Sequence, residues 1–269
     1  MKIKILVDNY VTQRDFLAEH GFSIFIEDEV EKILFDTGQG IALLHNMNLT
    51  GLALKDIDKI ILSHGHDDHT GGLKFFVESE IYPGLIAHPD VVYPKYKIQG
   101  EKKKNIGINV PIDKFKKILT KDSLQVSKHI LFSGEVPKEN RWELEETAYF
   151  REKGGVLEKD PFVDDISLFV SLKEGLLIIT GCAHSGIINI IDYGFEVTRT
   201  KKLYGIIGGM HLRDASYERI EKTIKLMLEL DPEFLTISHC TGSIAGSLFR
   251  EKLGKKVIFT DAGWEFNVE

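Results

Sequence analysis

Cysteine is scarce in this chain. Two residues, Cys182 and Cys240, occur in 269, which removes any need for a disulfide framework and fits a reducing compartment. Long apolar runs are missing as well. No stretch approaches the roughly 18–20 apolar residues that a membrane helix needs. The N-terminal run Ile3–Val7 is too short for a signal peptide and reads as a first strand. A cytoplasmic protein away from membranes is the expectation. An excess of positive charge is absent too: the formal net charge is −7. That argues against nucleic acid as a partner, because phosphate backbones are held by clustered Lys and Arg. The one Lys-rich stretch, Glu101-Lys102-Lys103-Lys104, reads as a solvated loop.

Hydrophobic residues make up 43% of the chain, ample for a large core, and a single α/β domain of this length is ordinary. Short β-like runs open the sequence: Ile3–Val7, Ser23–Glu27 and Lys32–Phe35, the last ending in Asp36-Thr37-Gly38. A helix-like segment, Ile41–Met47, precedes the apolar run Lys59-Ile60-Ile61-Leu62. That run is short, β-branched and bounded by polar turns, so it reads as a buried strand. A helix is expected over Thr70–Val77. The stretch from about 93 to 165 is the least regular and carries most of the prolines. It reads as a cap or insertion within one domain spanning 1–269, with a strand over His129–Phe132. Order returns with strands over Ile166–Leu172 and Leu176–Thr180 and a helix over Ser185–Tyr193. Then come strand Leu203–Ile207, helix Tyr217–Leu230, strand Phe234–Ser238, helix Thr241–Leu253 and strand Val257–Thr260. Strands that first cluster and then alternate with helices suit mixed sheets covered by helices.

The chemistry concentrates in His64-Gly65-His66-Asp67-Asp68-His69. Three of the chain's ten histidines fall within these six residues. Neutral imidazole and carboxylate are ligands for Zn²⁺, Fe and Mn²⁺. Because the segment leaves a strand, His64 and His66 can share one metal while Asp68 and His69 face a second. Gly65 suits a tight backbone bend. Six residues cannot complete two coordination spheres. Three later strand ends offer further donors: Cys182 and His184, His211, and His239 beside Cys240. Each histidine follows a β-like run and precedes a helix-like one. His88 and His129 read as structural, Asp67 as a capping or surface carboxylate, and His20 and His45 carry no pattern.

The pattern His64-x-His66-x-Asp68-His69 after a strand, with Asp36-Thr37-Gly38 upstream, resembles the metallo-β-lactamase superfamily. The segments around Cys182, His211 and His239 resemble, more narrowly, the 7,8-dihydropterin-6-methyl-4-(ribofuranosyl)aminobenzene 5′-phosphate synthase subgroup. The resemblance implies a four-layer αβ/βα sandwich and two divalent metal ions per chain, Zn²⁺ first, with Fe or Mn²⁺ as alternatives. It implies His64 and His66 on the first metal, Asp68, His69 and His239 on the second, and Asp36 as a carboxylate fixing a histidine tautomer. Two departures stand out. Cys182 follows Gly181 where most members carry a bridging aspartate, and Asp164-Asp165 stand where a histidine ligand is usual. His184 is therefore the candidate third ligand of the first metal. Cys182 is a further candidate ligand, and His211 is either a ligand or a substrate contact; Asp68 and His211 are the candidate catalytic residues.

The expected activity is hydrolysis of a small phosphorylated or pterin-like molecule by a metal-bound hydroxide. A di-iron redox or electron-transfer protein is the alternative, for which Cys182 would be a suitable soft ligand. Relatives of that kind usually carry a fused flavin-binding domain, for which 269 residues leave no room. A non-catalytic metal-dependent binder is the weakest reading.

Overall fold

The structure, a computed structural model, describes residues 1–145 and 147–268. Eighteen strands are present among the described residues. They are β1 Lys2–Val7, β2 Ser23–Asp28, β3 Glu31–Phe35, β4 Lys59–Ile61, β5 Gly84–Ala87, β6 Lys95–Gln99, β7 Lys102–Asn105, β8 Lys116–Leu119 and β9 Leu124–Gln125. Next come β10 Ile130–Phe132, β11 Tyr149–Lys153, β12 Val156–Lys159, β13 Ser167–Ser171, β14 Leu176–Thr180, β15 Leu203–Ile207, β16 Phe234–Ile237, β17 Val257–Phe259 and β18 Glu265–Asn267. The helices are α1 Leu43–Leu49, α2 Asp67–Thr70, α3 Leu73–Glu78, α4 Ile187–Thr198, α5 Tyr217–Leu230 and α6 Ser243–Leu253. Among the described residues no helix is long and apolar enough to cross a membrane.

The chain divides into two compact units. The first comprises 1–121, 147–164 and 261–268. Its main sheet runs β18-β1-β2-β3-β4-β5-β8. β1, β2 and β3 pair antiparallel, and β3, β4, β5 and β8 pair parallel. Leu43 and Met47 of α1 and Leu73 and Phe76 of α3 pack with Leu6, Leu34, Ile60 and Leu85. Residues four and three apart fall on one helical face, which is why these short helices bury one stripe each. The second unit comprises 122–145 and 165–260, with sheet order β17-β16-β15-β14-β13-β10-β9. Its strands β14 to β17 pair parallel. Ile220, Ile224 and Met227 of α5, with Phe249 and Leu253 of α6 and Ile187, Ile190 and Ile191 of α4, bury against Ile178, Ile206 and Leu235.

Most expected elements are present within two or three residues of their expected ends. The segment 93–165 differs from its reading as an irregular cap. It supplies β6, β7, β11 and β12, a separate four-stranded sheet in the order β12-β11-β6-β7 within the first unit. It also supplies β10, which pairs with β13 in the second unit. The Lys-rich stretch, expected as a loop, lies in β7, a fully exposed edge strand. Lysine suits that position, because an edge strand must discourage pairing with other chains.

Each main sheet places its candidate donors at the carboxyl ends of parallel strands. Asp36 follows β3 and Ser63-His64 follows β4; Cys182 follows β14, His211 follows β15 and His239 follows β16. In open α/β sheets this is the edge where ligands bind.

Candidate metal centre

In the first unit, Asp36 is fully buried with φ of 60°, a left-handed conformation uncommon outside glycine. This turn aims its carboxylate back under the next strand end. Oδ1 accepts from the Ser63 N–H at 2.7 Å. Oδ2 accepts from Ser63 Oγ–H at 2.6 Å and from His69 Nδ1 at 2.7 Å. A carboxylate only accepts, so His69 Nδ1 carries the proton and Nε2 the lone pair. Ser63 Oγ spends its only hydrogen on Asp36, so it accepts from His64 Nδ1, 2.9 Å away. His64 is thereby held in the same tautomer, with its lone pair on Nε2.

His64 Nε2 lies 2.9 Å from His66 Nδ1. Two nitrogens on one tetrahedral zinc at about 2.0–2.1 Å would be about 3.3 Å apart, so a small rotation of either ring makes this pair a chelate. Asp68 Oδ2 is 3.8 Å from His69 Nε2. His64, His66 and His69 are almost completely buried, as is Asp68. The first unit therefore presents the four expected donors together, with the Asp36 carboxylate behind two of them.

Beneath this loop lies a buried ion cluster. Lys95 Nζ contacts Asp160 Oδ2 at 2.6 Å and Asp164 Oδ1 at 2.9 Å. Asp164 Oδ2 accepts from the Gly65 N–H at 2.9 Å. Burial alone would push the Asp164 carboxyl up, but the Lys95 ammonium and the Gly65 N–H hold it below its ordinary range. The structure also changes the reason for Gly65. It has no positive φ; a Cβ there would sit 2.5 Å from the Val91 carbonyl oxygen, so close approach excludes a side chain.

In the second unit, Cys182, His184 and His211 place ligand atoms within 4.8 Å of one another, and so do Cys182, His239 and Cys240. The His184 and His211 rings lie 4.2 Å apart. Threonines lace these strand ends together. Thr180 Oγ1 donates to Gly209 O at 2.8 Å, Thr236 Oγ1 accepts from Gly208 N at 3.1 Å, and Thr241 Oγ1 accepts from Met210 N at 3.0 Å. Ala183, His211 and His239 all have positive φ. Such conformations persist only where surrounding contacts over-determine them, and they cluster at functional sites. Asp165 Oδ2 accepts from Ser185 N at 2.8 Å, and burial pushes its carboxyl up to about 6.

Four residues around these donors carry no sequence signal for the place they occupy. Cys240, marked in the sequence only by its place after His239, sits in the same group as Cys182 and His239. His20, without pattern, has Nε2 3.3 Å from Asp68 Oδ2. Asp164 and Asp165, visible in the sequence only as a departure from the family pattern, each anchor a loop through a backbone N–H. His88 is structural as expected, since its Nδ1 accepts from Asp90 N at 3.0 Å.

A family model described as the metallo-beta-lactamase superfamily matches residues 18–239. The chain belongs to this superfamily. The 7,8-dihydropterin-6-methyl-4-(β-D-ribofuranosyl)-aminobenzene-5′-phosphate synthase of Methanocaldococcus jannaschii is 32% identical over 94% of this chain and 91% of its own length. An uncharacterised protein of the same organism is 38% identical over 89% of this chain and 90% of its own. Among solved structures, a metal-dependent hydrolase of the β-lactamase superfamily superposes with a TM-score of 0.88 at 30% identity, covering 100% of this chain and 99% of that one. The α/β metallo-β-lactamase fold expected from the sequence is the fold of this neighbour.

The buried triad beneath the superfamily's histidine loop gives a direct test. Replacing Lys95 with Met leaves two buried carboxylates facing each other. It should destabilise the protein by about 3–5 kcal/mol in denaturant unfolding, with partial recovery when Asp160→Asn is added. A loss below about 1 kcal/mol, in the range of an exposed pair, would show that this cluster does not support the loop.

Proposed function

We propose that the protein is a metal-dependent hydrolase acting on a small phosphorylated or pterin-like substrate. Two divalent metal ions per chain would be held by His64, His66, Asp68, His69, His184 and His239. The observation that carries this reading is the Asp36–Ser63 arrangement, which sets His64 and His69 in the tautomer that offers Nε2. A purely structural histidine pair has no need of a common carboxylate behind it, whereas metal-ligating histidines usually donate their other N–H to such a group. Neutral imidazoles with one carboxylate fit Zn²⁺ first and Fe or Mn²⁺ as alternatives. The phosphorylated or pterin-like substrate is inferred from the name of the M. jannaschii relative. Hydrolysis is inferred from the structural neighbour, itself described as a metal-dependent hydrolase.

Bound metals supply Lewis acidity and lower the pKa of water towards neutrality. The chain's own groups do the rest. Asp36 and Ser63 keep the donor nitrogens aimed without rearrangement during turnover. Asp68, 3.3 Å from His20 Nε2, presents a carboxylate beside His69. His211, half-buried and held at positive φ beside His184, would serve as an acid or hydrogen-bond donor to the substrate.

A second reading, a di-iron redox protein on the same fold, draws on one observation: two thiols, Cys182 and Cys240, grouped with His239. Thiolates favour soft, redox-active metals more than imidazoles do. The visible spectrum of protein purified without added metal separates the two. Hydrolysis with Zn²⁺ predicts no absorption there, and an intense iron–thiolate band that bleaches on reduction would transfer the assignment to redox chemistry.

The hydrolase reading is tested by a screen over phosphodiester, phosphomonoester, ester and thioester substrates. Turnover should be abolished by a chelator and restored by metal. His211→Ala should lower the rate by about 10²–10⁴-fold with metal content intact, and His239→Ala should deplete metal. Equal metal loss in both variants would make His211 a ligand and end its catalytic role. Absence of turnover on every substrate class by fully loaded protein would contradict the hydrolase assignment.

A further inference from the structure

We propose that the four-stranded sheet carries an anion subsite, formed by Lys97 and Lys104 beside Tyr149, that takes a dianionic phosphate group of the substrate. This rests on the hydrolase reading for its purpose, because it names what the substrate must carry away from the reacting bond.

The subsite follows from register. In the antiparallel ladders Tyr149 of β11 stands opposite Lys97 of β6, and Lys97 stands opposite Lys104 of β7. Directly opposed residues point to the same face of a sheet, so the three form one row across three strands. The row starts beside a proposed metal ligand. The Tyr149 ring stacks on His66, with centroids 5.5 Å apart and planes inclined by 21°. Lys97 Nζ is 5.1 Å from the Tyr149 ring centre and donates to its hydroxyl at 3.3 Å. The β7 end of the row is tied to the metal loop, since Asp67 N donates to Ile106 O at 2.7 Å, two residues beyond Lys104.

Four other cations of the sheet, Lys95, Lys103, Arg151 and Lys153, have partners of their own. Lys95 is neutralised by Asp160 and Asp164, and Arg151 pairs with Asp90 and Glu158. Lys103 points to the opposite face and lies 3.7 Å from the Tyr96 ring centre. Lys97 and Lys104 instead face each other, and like charges directly opposite destabilise a sheet. Protection of an edge strand accounts for lysines on β7. It does not account for Lys97, which lies on the inner strand β6 and reaches the tyrosine against His66. Lys104 acts on the Asp67 carboxyl through space, but neither ammonium has a carboxylate in ion-pair contact among the described residues. Two such charges, one of them on the tyrosine that stacks against His66, suit a group of two negative charges. Lysine serves phosphate as a point charge and does not require the planar fork of arginine.

The test uses the full chain as purified and inorganic phosphate as probe, with binding measured by calorimetry at constant ionic strength. Lys97→Gln and Lys104→Gln should each weaken phosphate binding by about tenfold, with metal content unchanged. Lys103→Gln, on the other face, should bind as the parent does. The double Lys97→Arg, Lys104→Arg variant should retain affinity, which separates charge from packing. Unchanged phosphate affinity in the double Gln variant would overturn the subsite, and so would an equal loss in Lys103→Gln, which would make the effect one of overall charge. Because binding is read without turnover, these results stand whether or not the protein proves to be a hydrolase.

Discussion

The Asp36 carboxylate is the constraint on which the candidate centre depends. It is completely buried, and burying an ionised group is tolerated only when hydrogen bonds replace its lost hydration. Three donors do so here, two from Ser63 and one from His69. Those same bonds decide which nitrogen of His69 and, through the serine hydroxyl, of His64 carries the proton. One buried charge thus converts two flexible imidazoles into oriented donors. The positive φ of Asp36 belongs to the same arrangement, because the strained turn at the end of β3 is what swings the side chain beneath the end of β4.

The second unit solves the same problem by different means. Its strand ends are laced by threonine hydroxyls instead of a single carboxylate, and Gly208 and Gly209 allow the close approach. A Cβ on Gly209 would lie 2.5 Å from Cys240 Sγ, so the thiol fills the space that a side chain at 209 would need. Three residues of these loops hold positive φ, a strain sustained by the parallel sheet and the helices α4 to α6 packed on it. In each unit, strand ends deliver the donors and turns aim them.

Much of this was legible in the sequence. The strands that become β4, β14, β15 and β16 show as short β-branched runs, and the donors follow them in the chain, so local pattern carried both the elements and the His64-x-His66-x-Asp68-His69 cluster. What local pattern could not show was pairing between distant residues. β6, β7, β11 and β12 are short and rich in charged residues, β7 and β12 fully exposed and β6 and β11 mostly half-buried, so they lack the apolar alternation by which a half-buried strand shows in a sequence. Only their register reveals the row from Tyr149 to Lys104. Cys240 is marked in the sequence only by its place after His239, and its grouping with Cys182 follows from β14 and β16 lying in one sheet. His20 meets Asp68 across a separation of 48 residues with no motif of its own. Asp164 and Asp165, adjacent in the chain, act on different loops, and nothing short of the fold assigns either role.

The most direct measurement is the metal affinity of Asp36→Asn, read by competition with a chromophoric chelator. An amide replaces one carboxylate oxygen by an N–H₂, so it cannot accept all three bonds: whichever way it turns, the N–H₂ meets either the Ser63 N–H or the Ser63 hydroxyl and His69 Nδ1. The account predicts that metal binding weakens about 10–100-fold while far-UV circular dichroism and the remaining fold are preserved. Parent-like metal affinity in a folded Asp36→Asn protein would contradict the claim that this carboxylate sets the donors of the centre.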